Sequence, residues 1–64
     1  APNNIAARYH VGMVYKKKGD AEQAKREFEH AQSLVQANPK DALARMFGER
    51  VNKELTELAG VAGK

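Results

Sequence analysis

Two short helical patterns meet at Gly19-Asp20, and this junction limits what the chain can fold into more than any other feature. The pattern before it contains Gly12, and the pattern after it contains Ala24 and Phe28, which are one helical turn apart. A glycine inside a helix costs about 1 kcal/mol relative to alanine. This cost is reasonable if another helix must pack against the glycine backbone. The junction therefore predicts a tight hairpin of two antiparallel helices that come closest at Gly12 and Ala24.

The first helix is predicted over about residues 5–18. Residues 1–4 form a lead-in, in which Asn3 or Asn4 can cap the helix by accepting a hydrogen bond from a free backbone N–H group. Gly19 is suited to the left-handed conformation that commonly follows the last turn of a helix. Apolar residues cover a wide arc of this helix, which indicates two neighbouring helices.

The second helix is predicted over about residues 20–37. Asp20 caps it, and Gln23, three residues later, completes a capping-box-like pair. The helix ends at Asn38-Pro39, because the residue before a proline is disfavoured in helical geometry.

The third helix is predicted over residues 39–60, and its apolar residues lie along one side. That side consists of Leu43, Phe47, Val51, Leu55 and Leu58. Gly60 is expected to end the helix and leave residues 61–64 as a frayed tail. The sequence therefore predicts an all-α fold of three antiparallel helices, the third being amphipathic.

The start of the third helix has two alternatives. Asn38 can cap it with Pro39 in the first helical position, where proline is favoured. Asp41 can cap it instead. A start near Lys40 is slightly preferred.

Composition excludes several classes of protein. The chain has 64 residues and no cysteine, so it holds one domain at most and no disulfide or cysteine-based zinc site. No apolar run is long enough for a membrane span, and no secretory signal is visible. Phosphate-binding loops and nucleophile motifs are absent from the sequence, which argues against an enzyme, a metal site or a cofactor.

The stretch from Val11 to Ala31 resembles a tetratricopeptide repeat, whose signature is W-x2-L-G-x2-Y, then A-x3-F, then P. The residues that match the signature or its further small position are Val11, Gly12, Tyr15, Ala24, Phe28 and Ala31. The resemblance covers residues 5–38 as one repeat. It implies a fragment of an α–α superhelix, in which one repeat is followed by a C-terminal capping helix.

Two positions depart from this signature. Arg8 stands where the early tryptophan would be, and the closing proline comes at Pro39 rather than at Gln36. The second helix is therefore nearly one turn longer than in a regular repeat. The third helix is more similar to the element that closes such arrays than to the start of another repeat.

In tetratricopeptide repeats the inner face of the first helix usually contacts the ligand. The resemblance places Ala6, Tyr9, His10, Met13, Lys16 and Lys17 on that face. Tyr9 offers a rigid contact with a polar tip, Met13 an adaptable one, and the lysines favour an acidic segment. The alternative is that Tyr9 and Met13 pack against a neighbouring helix or repeat.

The expected function is a non-catalytic protein–protein interaction or scaffold module, forming the terminal part of a longer repeat protein. Its partner would be a protein or peptide segment, or neighbouring repeats of the parent chain. One alternative is a self-associating, homodimeric helical unit, because a chain this short has a small core. Nucleic-acid binding through Lys16–Lys18 is less favoured, since lysines at a helix C-terminus also stabilise its dipole. The stretch resembles bacterial repeats from both the cytoplasm and the envelope or periplasm, so the compartment stays open.

Overall fold

A computed structural model describes the backbone of residues 4–62 and the side chains of residues 4–60. Within this part the chain forms three helices: α1 (Ile5–Lys17), α2 (Ala21–Ala37) and α3 (Ala42–Ala62). This arrangement confirms the predicted all-α fold class. Residues 1–3 of the predicted lead-in and residues 63–64 of the predicted tail lie outside the described residues.

The start of α1 depends on Asn4, one of the two caps that the sequence offers. The side-chain Oδ1 of Asn4 accepts a hydrogen bond from the backbone N–H of Ala7 at 2.9 Å. Such a cap contributes about 1 kcal/mol by satisfying a free donor. It also fixes the first turn, in which Ile5 is fully buried.

The turn between α1 and α2 is a three-residue connection with a Schellman arrangement of hydrogen bonds. Gly19 has a φ of 83°, its N–H donates to the carbonyl of Lys16 at 3.1 Å, and the N–H of Asp20 donates to the carbonyl of Tyr15 at 2.9 Å. The Asp20 carboxylate then accepts from the N–H of Gln23 at 3.2 Å and caps α2. The capping box is only half formed, because the Asp20 N–H that Gln23 would have bound already closes α1.

The start of α3 is decided by Asp41. Its carboxylate accepts from the backbone N–H of Leu43 at 2.8 Å, and the helix begins at the next residue. The Asn38 side chain instead donates from Nδ2 to the carbonyl of Leu34 at 2.9 Å and so caps the end of α2. The predicted start at the proline or near Lys40 is therefore too early.

The end of α3 also differs from the prediction, because the helix continues through Gly60 to Ala62. A glycine ends a helix when it turns into the left-handed region. Within the described residues, Gly19 is the glycine with positive φ. Gly60 keeps the helical conformation, and its intrinsic cost of about 1 kcal/mol does not stop the helix.

The core lies between the three helices and is supplied by small and large residues together. The buried apolar residues are Ile5, Ala24, Phe28, Ala31, Ala44, Val51 and Leu58. Gly12 is also buried, and a Cβ atom built on it would lie 2.7 Å from Cε1 of Phe28. The structure thus explains the glycine: the aromatic ring of α2 occupies the space where a side chain on α1 would be.

Candidate interaction surface

Tyr9 is the side chain through which α1 reaches both other helices. Its ring centroid lies 5.8 Å from that of Phe28 on α2 and 5.3 Å from that of Phe47 on α3, with tilted planes. Tilted aromatic pairs at such distances contribute about 0.5–1.5 kcal/mol beyond the area that they bury. The guanidinium of Arg50 lies 5.7 Å from the Phe47 ring centroid and extends this cluster towards solvent. Tyr9 therefore uses its ring mainly for contacts inside the chain.

Lys16 connects the C-terminal end of α1 to α3. Its ammonium donates to the carboxylate of Glu54 and, at 3.0 Å, to that of Glu57. The Glu54 side chain is only 12% exposed, so this carboxylate depends on the lysine for charge compensation. The hydrogen bond to Glu54, followed by that to Glu57, raises the pKa of Lys16 above its ordinary value of 10.5. The hydrogen bond from Lys16 likewise lowers the pKa of Glu57 below 4.5.

These contacts define how α1 and α3 are arranged. Tyr9 pairs with Phe47 near the start of the two helices, and Lys16 pairs with Glu54 and Glu57 further along both. The two helices therefore run in the same direction, and α2 runs against both. One side of α1 and one side of α3 lie next to each other and form a continuous surface.

The structure separates the six residues that the resemblance placed on the inner face into two groups. Tyr9 and Met13 are half-buried and pack against the core, and Lys16 is held by two glutamates of α3. The half-buried Ala6 borders the same side, whereas His10 and Lys17 are exposed. Two of the α1 residues that the sequence assigned to a partner, Tyr9 and Lys16, thus already contact α3 within the chain. The accessible part of this face includes α3 residues.

Two residues of α3, Leu43 and Met46, belong to the accessible surface although the sequence prediction did not assign them to binding. They are 39% and 56% exposed although both are large and apolar. Leu43 lies one turn before Phe47, and Met46 lies one turn before Arg50, so helical periodicity puts both next to the side that faces α1. Leu43 belongs to the apolar side that the sequence predicts for this helix, yet the structure leaves it exposed. The signal that could have found them is the position of the stripe, which is centred on Ala44 and Val51 rather than on Leu43.

We call the accessible part of this surface the inner face. It consists of Ala6, His10, Met13 and Lys17 on α1 and of Leu43, Met46 and Arg50 on α3. Both methionines of the chain border it. Methionine is flexible and polarizable, and such side chains adapt to partners of different shape.

The residues that carry the repeat signature have mainly structural surroundings. Gly12, Ala24, Phe28 and Ala31 are buried between the helices, and Tyr15 is half-buried against the same core. Val11 differs from these residues, because it faces away from the core and is exposed.

Residues 4–60 form no pocket, and no three of their histidine, aspartate or glutamate side chains group as metal ligands would. None of the described helices is long and apolar enough to cross a membrane.

Comparisons of the chain with models of known protein families, with curated proteins and with solved structures return no match.

Proposed function

We propose that the chain is a protein-interaction module of the tetratricopeptide-repeat type, in which α1 and α2 form one repeat and α3 covers it. The proposal keeps the resemblance of the sequence and is supported by the contact of Gly12 with Phe28, because this contact gives the signature residues a physical reason. The module has no catalytic role in this proposal. Its ligand is a segment of another protein or a neighbouring part of a longer chain.

The observation that carries the binding function is the exposure of Leu43 and Met46, two large apolar side chains about one turn apart on α3. Exposed apolar side chains that lie together, rather than singly, are typical of protein interaction sites. Cations at the edge of the inner face, Arg50 and Lys17, favour a segment that combines apolar and acidic residues.

Nucleic-acid binding receives less support from the same geometry. Lys16 donates to Glu54 and Glu57, so the run of three lysines presents only Lys17 and Lys18 as free cations on α1. Two such lysines are few for a protein that binds by neutralising several phosphates.

The test is a selection from a random peptide library displayed on phage, with the whole chain as target. Selected peptides should shift backbone amide signals at Met13, Leu43 and Met46 in NMR titrations. They should lose affinity for Met46→Glu by at least about tenfold, as expected when a charge enters an apolar contact. The exposed His30 on α2 gives a matched control, because His30→Glu adds an acid far from this face. Peptides that bind Met46→Glu and the native chain equally well would show that the inner face is not the binding site.

A further inference from the structure

A second apolar surface lies on the side of α1 that points away from the core. Ala7, Val11 and Val14 follow one another at spacings of four and three residues, and all three are exposed. Val11 is 39% and Val14 is 51% exposed. Lys18 comes four residues after Val14 and continues the same line. We call these four residues the outer stripe, and it is separate from the inner face.

The outer stripe has the shape of a helix-docking ridge. Rows of residues spaced four apart, or three apart, form the ridges that pack into the grooves of another helix, and Ala7 with Val11 is such a pair. Valine side chains have a strongly preferred rotamer in a helix, so little side-chain freedom is lost when they are covered. Alanine and valine are also short, which permits a neighbouring helix to approach closely.

The segment of the chain that carries the outer stripe contains basic residues and no acidic ones. Residues 1–19 contain four of the eleven Lys and Arg and none of the eight Asp and Glu, so they more than account for the net charge of +3. The carboxylate of Glu27 on α2 reaches this part of the surface, but Arg8 already binds it at 3.1 Å.

Two cations remain without an acidic partner on this side. Lys17 and Lys18 are exposed, and neither forms an ion pair with the described residues. His10 lies one turn before Val14 and is exposed on the edge that Lys17 also borders. The ridge is therefore apolar along most of its length and positively charged at its C-terminal end.

We propose that the outer stripe docks an amphipathic helix of another protein segment, whose apolar ridge is flanked by carboxylates. The carboxylates pair with Lys17 and Lys18, while the apolar ridge covers Val11 and Val14. A second copy of this chain fits poorly when it presents its own outer stripe, because α1 contains no acid and the lysines of the two copies would meet only cations. This proposal shares Lys17 with the edge of the inner face, but its apolar contacts, Val11 and Val14, lie on another side of α1, and it does not rest on the function proposed above.

The experiment uses two synthetic helical peptides, cross-linked to hold the helix, that share one leucine ridge. One peptide carries glutamates beside the ridge and the other carries lysines. In NMR titrations of the whole chain, the glutamate peptide should shift the amides of Ala7, Val11, Val14 and Lys18. The lysine peptide should bind at least about fivefold more weakly, as expected for exchange of a few exposed ion pairs for repulsions.

Charge-reversed variants test the assignment to α1. The double variant Lys17→Glu with Lys18→Glu should reverse the preference between the two peptides. The matched control, Lys25→Glu with Lys40→Glu, has the same net charge and alters exposed lysines elsewhere, so it should keep the native preference. Melting curves of both variants show that each is folded before its binding is compared.

Three results would overturn the proposal. The first is equal affinity of the native chain for both peptides, and the second is shifts centred on Met13 and Met46, which would assign the peptide to the inner face. The third is a concentration-dependent dimer in sedimentation that Val14→Asp converts to a monomer, because a second copy would then be the occupant. Failure of the inner-face test leaves these results unaffected, since the two experiments use different variants.

Discussion

Gly12→Ala is the substitution that most directly tests how α1 and α2 are packed. On an isolated helix it would be favourable, because alanine is preferred over glycine by about 1 kcal/mol. In this structure the new Cβ would lie 2.7 Å from Cε1 and 2.9 Å from both Cδ1 and Cζ of Phe28. The substitution therefore sets helix propensity against packing, and the two effects have opposite signs.

The size of the expected loss in unfolding free energy depends on how little the Phe28 ring can move. Carbon atoms in van der Waals contact are about 3.5–4.0 Å apart, so the helices must separate by close to 1 Å or the ring must rotate. Phe28 is fully buried, and Tyr9 packs against its ring. A gap of this size forfeits a quarter to a half of the dispersion energy at each remaining contact. Overpacking costs about 1–3 kcal/mol, so we expect a net loss of up to about 2 kcal/mol after the gain in propensity.

Thermal unfolding followed by far-UV circular dichroism measures this loss. In a domain of this size, 1 kcal/mol corresponds to a change in Tm of about 4–8 °C. Gly60→Ala is the matched control, because a Cβ there would meet nothing within 4 Å. That variant should have an unchanged or higher Tm. Equal effects of the two substitutions would refute the packing argument.

A double-mutant cycle separates overpacking from other causes. Phe28→Leu replaces the ring by a smaller side chain at the point of collision. Gly12→Ala should therefore cost less free energy of unfolding in the Phe28→Leu background than in the native chain, with an interaction energy of about 0.5 kcal/mol or more. Additive effects would mean that the two positions are not in contact.

Three further predictions concern the connections between helices. Lys16→Met should lower the free energy of unfolding by about 1–3 kcal/mol in urea titrations, because it leaves the charge of the nearly buried Glu54 carboxylate uncompensated. The control, Lys17→Met at an exposed site, should change the free energy of unfolding by less than about 0.5 kcal/mol. The difference in unfolding free energy between the native and Lys16→Met proteins should also depend on pH. It should shrink as the pH falls below about 4.5, because the pKa of Glu57 is lowered and its contact with Lys16 stabilises the fold only while Glu57 is ionised. It should shrink again as the pH rises above about 10.5, because the pKa of Lys16 is raised and the contact requires Lys16 to be protonated. A difference that is constant with pH would exclude the charged contact as its origin. Gly19→Ala should cost about 1–2 kcal/mol in the same titrations, because an L side chain at a φ of 83° is strained, and an unchanged midpoint would contradict the turn described above.

The α1–α2 hairpin could be predicted from the sequence because its determinants are local. Gly19 and Asp20 act on residues within one turn of themselves, and Gly12 and Phe28 are joined by a turn that leaves their register no freedom. Their residue types alone therefore indicate which helix faces meet.

The α1–α3 surface could not be predicted in the same way. Lys16 and Glu54 are 38 residues apart. In the sequence, neither can be distinguished from an ordinary charged residue on a solvent-exposed helix face. The position of α3 also depends on its cap: the Asp41 carboxylate accepts from the N–H of Leu43, while the Asn38 side chain donates to the end of α2. The exposure of Leu43 and Met46 follows from that position, and it requires the three-dimensional arrangement to be known.

Asp20 belongs to two helices at once, and this double role makes the hairpin sensitive to chain length. Its N–H closes α1, while its carboxylate and its carbonyl, which accepts from Ala24 at 3.0 Å, open α2. No residue in the turn is left over to absorb an insertion or deletion. One residue more or fewer would rotate α2 by about 100° about its axis and carry Phe28 away from Gly12. The connection from 38 to 41 has more residues between its caps, so natural variation in length is expected there and not at the first turn.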